Sequence, residues 1–367
     1  MKAALLNPCF FPEVKRGSER LIRELANGLV AAGHEPTLIT SHPGRPSRAD
    51  EDGLHVIRNW RPPDEKLRRR LYPDYLTHVP FSYASLRAGD YDIANAFYPT
   101  DALAAVRWSE RAGRPAVFSY GGLPDRAVLA DRRHKLSILE RAVRGSAAVV
   151  TSSRTAADAM RRWLGVDARP IYPGVDLDAF AVGNGRAEEP TIFCAASPDD
   201  SRKRVGLLVS AFAHVRRERA DARLVLLEPR NSDSARRNGL DGAGIELIPQ
   251  VDAPSALAPT YRRAWVTALT AYREAFGLVL VESLACGTPV VGTRDGAVPE
   301  VVNGDGIGRL FDGDDERAVA RALLEGFELA SDGGTASACR ARAEDFSSAR
   351  CSREYEALYL DLLGRHG

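Results

Sequence analysis

Two glutamates eight positions apart, Glu274 and Glu282, frame the part of the chain best suited to chemistry. Between them runs Ala275-Phe276-Gly277-Leu278-Val279-Leu280-Val281. The pattern predicts a loop, a helix over 277–286, a tight Gly287-Thr288-Pro289 turn and then a strand. A helix start behind a glycine offers unpaired backbone N–H groups and a partial positive charge, which suits a diphosphate. Ala275, Phe276, Gly277 and Leu278 would form that cradle, with Gly277 letting backbone approach an anion closely. Glu282, further along the helix, is placed to accept both hydroxyls of a ribose. Glu274 stays in the loop, where a transferred sugar would sit. Carboxylates flanking an anion-binding helix end imply a ligand with hydroxyls on both sides of its phosphates, and a nucleotide sugar is one. On composition alone, a surface helix with solvated glutamates is the commoner arrangement. Residue types by themselves leave both readings open.

The same segment, continued through Ala285-Cys286-Gly287-Thr288-Pro289-Val290-Val291 and Gly296-Ala297-Val298-Pro299-Glu300-Val301-Val302, resembles the E-x7-E signature of the retaining GT-B glycosyltransferases of family 4. That superfamily includes the glycogen synthase-like and sucrose synthase-like enzymes. The resemblance extends more thinly along the chain, through Pro173-Gly174-Val175-Asp176. It implies an α/β fold of two Rossmann-like domains facing each other across a cleft. It also implies metal-independent transfer of a sugar from a nucleoside-diphosphate sugar to an acceptor hydroxyl, with retention and with no cofactor. In such enzymes Glu274 and the loop after it hold the donor sugar, and Glu282 holds the ribose. Ser201-Arg202-Lys203-Arg204-Val205-Gly206 resembles the Lys-Gly segment that opens the first helix of the second domain, which assigns Lys203 to the leaving phosphate. An arginine usual five residues earlier is replaced, with Ser197 and Pro198 there, so Arg202 or Arg204 is left to substitute. Gly17 keeps the second glycine of the family's donor loop, while Arg16 replaces the first and faces either phosphate, an anionic acceptor or water. Gln250-Val251-Asp252 resembles the loop whose backbone, at Val251, reads the base, which leaves UDP and GDP undistinguished. Tyr120, in Ser119-Tyr120-Gly121-Gly122 after a strand, stands near where relatives carry a histidine and is assigned to the transferred sugar.

Elements that position these residues follow from periodicity. Strands are expected at 3–6, 36–40, 55–57, 92–95, 116–119 and 147–151, with helices at 18–32, 101–112, 125–144 and 153–164. The pattern pauses at 172–176 and 182–189, an expected linker. It resumes with strands at 191–195, 223–227, 245–248, 265–269 and 289–291 and helices at 204–219, 277–286 and 316–330. A helical tail follows over 335–364. Alternation of this kind predicts parallel sheets covered on both faces. The expected domains are 1–180, for the acceptor, and 181–349, for the nucleotide sugar, with a helix near 350–367 packing back on the first.

Composition narrows the partners. A chain of 367 residues with a net charge of +1 argues for two domains and against general nucleic-acid binding. The five cysteines include no C-x-x-C pair, which disfavours disulfides and structural zinc and fits a reducing cytoplasm. No apolar run approaches the roughly 18 residues that span a bilayer. Lys66-Leu67-Arg68-Arg69-Arg70-Leu71-Tyr72 is a solvated helix face, a loop lining an acceptor site, or a peripheral contact with the inner face of a membrane. The acceptor class stays open between a small molecule, a glycan and a lipid-linked glycan. Asp312-Gly313-Asp314-Asp315 reads as a helix cap in preference to a metal site, and His134 as a surface residue. Motifs of metalloproteases, P-loops, nucleophile elbows and dinucleotide-binding turns do not occur. Rivals are a non-catalytic two-lobed sugar-binding protein, a GT-B phosphorylase, for which no pyridoxal lysine context exists, and a nucleotide-sugar epimerase.

Overall fold

The computed structural model describes every residue except 15, 16, 184, 252 and 367. The chain forms two units, Met1–Gly174 with Ser348–Gly367, and Val175–Ser347.

The first unit contains β1 (Lys2–Leu6), α1 (Gly17–Ala31), β2 (Glu35–His42), β3 (Ser47–Glu51), β4 (Leu54–Trp60), α2 (Glu65–Arg69), α3 (Val79–Ala88) and β5 (Ile93–Ala96). It continues through α4 (Pro99–Ala112), β6 (Ala116–Tyr120), α5 (Arg126–Ala130), α6 (Lys135–Gly145), β7 (Ala148–Thr151), α7 (Arg154–Leu164) and β8 (Arg169–Pro170). Its sheet has the order β3-β4-β2-β1-β5-β6-β7-β8. All pairs are parallel except β3 with β4. Successive strand residues point to opposite faces, so a strand buried on both sides must be apolar throughout. Ala3, Leu5, Ile93, Val117 and Val150 meet Ile22, Leu25 and Leu29 of α1 on one face. Ala4, Leu6, Ala94, Ala96 and Phe118 meet Leu86, Trp108, Leu139 and Met160 on the other.

The second unit contains β9 (Thr191–Cys194), α8 (Val205–Glu218), β10 (Arg223–Leu227), α9 (Ser232–Asn238), β11 (Ile245–Ile248), α10 (Ala258–Arg263) and β12 (Val266–Leu269). It ends with α11 (Leu278–Ala285), β13 (Val290–Thr293), α12 (Val298–Val301), β14 (Gly308–Phe311), α13 (Glu316–Ala330) and α14 (Thr335–Glu344). Its six strands, all parallel, run β11-β10-β9-β12-β13-β14. Residues 175–180, counted above with the first domain, are tied into this unit. Val175 N–H donates to Phe346 O (2.9 Å), and Arg340 Nη1 donates to Leu177 O (2.9 Å) and Phe180 O (3.0 Å).

The last helix, α15 (Ser348–His366), belongs to the first unit and packs on α1. Tyr355, Leu358, Tyr359 and Leu362 join the core beneath β1 and β5. Its tyrosines also complete a buried polar ladder. Asn95 Nδ2 donates to Tyr359 Oη (2.6 Å), Ser119 Oγ donates to Asn95 Oδ1 (2.9 Å), and Tyr355 Oη donates to Ser119 Oγ (3.2 Å). Burial raises both tyrosine pKa values above the ordinary range, so both rings stay neutral.

Several local features depart from the sequence reading, among them α9, α10 and β14, which it did not anticipate, and the helical tail, which is split into α14 and α15. The single helix expected over 125–144 is broken into α5 and α6, with His134 left-handed (φ 58°) and its ring stacked on Tyr72 at 5.5 Å. Strand β3 was not anticipated, because Ser-Arg-Ala-Asp-Glu carries no apolar alternation. Its signal lay in the turn: Asp52 and Gly53 both have positive φ (51° and 81°), as a two-residue hairpin requires. Helix α3 was also missed. All five cysteines are free and buried, and burial pushes the thiols of Cys286, Cys339 and Cys351 up to about 12. Among the described residues no helix is long and apolar enough to cross a membrane.

Tyr359→Phe should destabilise the protein by about 1–3 kcal/mol, since it leaves Asn95 Nδ2 buried without an acceptor. Urea denaturation measures this, and a midpoint equal to the parent's would remove the ladder from the account.

Candidate active site

The site grows from the carboxyl ends of β9 and β12, neighbours in the second sheet. After β9 the chain makes a 3₁₀ turn, Ser201–Lys203, capped by Asp200, whose Oδ1 accepts from Arg202 N–H (3.0 Å). Arg204 then takes a left-handed conformation (φ 50°) and starts α8. This turn is fastened to the chain leaving β12 by four contacts. The Thr270 hydroxyl lies 2.9 Å from Lys203 O and 3.0 Å from Arg204 O, Arg204 Nε donates to Thr270 O (2.7 Å), and Tyr272 N–H donates to Arg202 O (2.7 Å). With both backbones fixed, Lys203 Nζ meets Glu274 Oε2 at 2.5 Å, and neither side chain is more than 22% exposed.

Helix α11 begins one step further on. Gly277, at φ 97°, is its N-cap, and no side chain caps it. A Cβ at Gly277 would have room, its nearest neighbour lying 3.5 Å away, so the glycine is required by its backbone angle and not by crowding. Leu278 and Val279 are half-buried, whereas 280–285 are buried. Leu280 N–H already donates to Gly277 O (2.9 Å), whereas the amides of Leu278 and Val279 stand at the helix start, where intrahelical acceptors are missing and an anion can bind. Phe276 is buried edge-on against Phe346 (5.4 Å), which anchors the loop from beneath.

The remaining expected residues are placed unequally. Glu282 lies on α11 but is 1% exposed, and its Oε2 accepts a hydrogen bond from Tyr261 Oη (2.6 Å). Arg202 is turned to Asp200 (2.6 Å), and Arg204 to Thr270 O and Asp314, so neither guanidinium joins the Lys203–Glu274 pair here. Val251 follows β11, on the same carboxyl edge of the sheet but at its far side. In the first unit, Gly17 opens α1 after β1, and Tyr120 ends β6 with its ring 5.9 Å from Phe118. Arg16, like Lys15 and Asp252, lies outside the described residues. Asp315 caps α13, accepting from Arg317 N–H (2.9 Å). Among the described residues no three His, Cys, Asp or Glu side chains are grouped to hold a metal ion. The basic segment 66–72 is largely exposed around α2, with Leu71 53% exposed and Arg68 paired to Asp74 (3.1 Å). Sequence reasoning missed Tyr261 and Thr270. Both act through contacts to residues far along the chain, and no local pattern signals them.

Comparison with known proteins gives the family and the fold. The family described as Glycosyltransferase Family 4 matches residues 15–179, and that described as Glycosyl transferases group 1 matches residues 189–328. A D-inositol 3-phosphate glycosyltransferase of Xylanimonas cellulosilytica is 30% identical over 86% of this chain and 84% of its own. One from Pseudarthrobacter chlorophenolicus is 27% identical over 90% and 87%. Among solved structures, a sucrose-phosphate synthase from Thermosynechococcus elongatus superposes with a TM-score of 0.82 at 22% identity, covering 99% of both chains. The Anabaena protein HepE, solved with UDP and glucose, gives 0.75 at 17% identity, covering 98% of this chain and 99% of its own. The chain thus belongs to glycosyltransferase family 4, has the GT-B fold, and transfers sugar from a nucleotide sugar.

Proposed function

We propose that the protein is a retaining, metal-independent glycosyltransferase that uses a UDP-sugar and glycosylates a hydroxyl of a small or lipid-linked acceptor. The observation that carries this reading is the Lys203–Glu274 pair, 2.5 Å apart, beside the uncapped start of α11. In the reaction, the bond from the anomeric carbon to the phosphate oxygen breaks and one to the acceptor oxygen forms on the same face. The acceptor proton passes to the departing phosphate. Lys203 and the amides of α11 take up the charge that gathers there, and being fixed in advance they need no reorganisation. Glu274 orients the sugar hydroxyls. A donor phosphate competes with Glu274 for Lys203, so binding frees the carboxylate for the sugar.

Glu282 is the ribose anchor in this scheme. Glu282 and its partner Tyr261 are both buried, so a ribose reaches the carboxylate only if the side chains around it shift. Val251 backbone faces the base, and Gly17 and Tyr120 are assigned to phosphate and sugar. UDP is favoured over GDP by HepE, which was solved with UDP and with UDP-glucose. D-inositol 3-phosphate, named for the curated relatives, is the first acceptor to try.

Thermal-shift measurements with UDP, GDP, ADP and TDP test the donor. UDP should raise the melting temperature most, since a ligand at about 100 Kd adds about 2.7 kcal/mol. Release of UDP from UDP-glucose with D-inositol 3-phosphate should continue undiminished in EDTA. Loss restored by magnesium would overturn metal independence, and UDP release without any acceptor dependence would overturn transfer to a hydroxyl.

The two carboxylates should separate kinetically. Glu274→Ala is expected to lower kcat about 100-fold or more with UDP affinity little changed. Glu282→Gln, which can still accept from Tyr261, should weaken UDP binding roughly tenfold. Parental behaviour in both variants would refute the assignment.

A further inference from the structure

Arg273, immediately before Glu274, has a φ of 54°. An arginine gains nothing from that left-handed region and meets a steric penalty there. Such a conformation persists only where the surroundings over-determine it. Here the surroundings are the turn after β13. Asp295 Oδ2 accepts the Arg273 N–H at 2.6 Å, and Ala297 N–H donates to Glu274 O at 2.9 Å. Between them Gly296, at φ 61°, lies so close that a Cβ would come within 2.3 Å of Glu274 O and 2.7 Å of Glu274 N. The chain on both sides of the Glu274 Cα is therefore clamped by residues 295–297.

We propose that Asp295 is a positioning residue: it holds Arg273 left-handed and thereby aims Glu274 at the sugar beside Lys203. Of the three clamps it is the one made by a side chain. The Ala297 and Gly296 contacts are backbone features of the turn, whereas the Asp295 carboxylate stabilises a conformation that the Arg273 side chain disfavours. Without it, Arg273 relaxes to negative φ, the following peptide swings, and the Glu274 carboxylate leaves Lys203. Among the described residues the hydrogen bond of the Asp295 carboxylate goes to Arg273 N–H, so its influence falls on sugar orientation and not on nucleotide affinity. The inference rests on the reading of Glu274 as the sugar-orienting carboxylate.

The test uses the full chain and UDP release from UDP-glucose with D-inositol 3-phosphate. Asp295→Ala should lower kcat by roughly ten- to a hundredfold while the UDP midpoint stays within about twofold. Asp295→Asn, which keeps an oxygen at the same place, should lose much less. The decisive comparison is at residue 273 in the Asp295→Ala background. Arg273→Gly should restore much of kcat, because glycine accepts positive φ without help, while Arg273→Ala should not. A crystal structure of Asp295→Ala should show Arg273 out of the left-handed region and Glu274 beyond hydrogen-bonding reach of Lys203. Parental kcat in Asp295→Ala, or equal recovery by glycine and alanine, would overturn the proposal if Glu274→Gln is inactive. Full activity in Glu274→Gln would instead bring down the reading of Glu274 itself, and with it this inference.

Discussion

The site depends on one pairing: β9 and β12, far apart in sequence, are hydrogen-bonded parallel neighbours. Strand order runs outward from this pair in opposite directions, β10 and β11 to one side and β13 and β14 to the other. The loops leaving β9 and β12 therefore diverge over opposite faces and leave room at the carboxyl edge, the position where open α/β sheets bind ligands. Lys203 and Glu274, 71 residues apart, meet there. The first unit repeats the arrangement, since its order reverses between β1 and β5, and the loop carrying Gly17 leaves β1 at that reversal.

Position in the sheet brings the two loops near each other, but polar contacts fix their distance. Thr270, Arg204 and Tyr272 lace the 3₁₀ turn to the β12 exit through backbone carbonyls. Each of these bonds is modest by itself, but together they leave the two backbones little freedom to move apart. In the first unit the same task falls to Asn95 and Ser119, whose side chains lie under the end of β6 and are satisfied by Tyr355 and Tyr359 of α15. The α15 tyrosines thus complete the polar interior beside β5 and β6, on the face of the sheet opposite to the one that packs the Tyr120 ring.

What could be read in the sequence was whatever repeats locally. Buried parallel strands are short apolar runs and amphipathic helices have their own period, so β1, α1, β10 and α13 were recognisable, and Asp315 announced its cap. The E-x7-E segment carried the family because both carboxylates and the helix start lie in one stretch. Other features were not readable because they are set by distant partners. His134 breaks a helix that its neighbours favour, with its ring stacked on Tyr72. Arg204 and Arg273 adopt positive φ, which no arginine signals, because Thr270 and Asp295 are positioned by other loops. Arg202 and Arg204, the neighbours of the position where the family arginine is missing, are engaged by Asp200, Thr270 and Asp314, contacts that no local pattern announces.

The two glutamates that look equivalent in the sequence are held by opposite means. Glu274 is partly exposed and pairs with a cation, a contact that a phosphate can compete for. Glu282 is buried on a helix of leucines and valines, where a carboxylate is costly to desolvate, and the partner seen for it is a hydroxyl. A neutral donor such as the Tyr261 hydroxyl orients a carboxylate without cancelling its charge. On the proposed roles, a carboxylate held by a neutral donor keeps its charge for the ribose, whereas one held by a cation is released when phosphate arrives. The difference in partner, ammonium for one and phenol for the other, is what makes a division of labour between sugar and ribose physically reasonable within a single eight-residue helix and the loop before it.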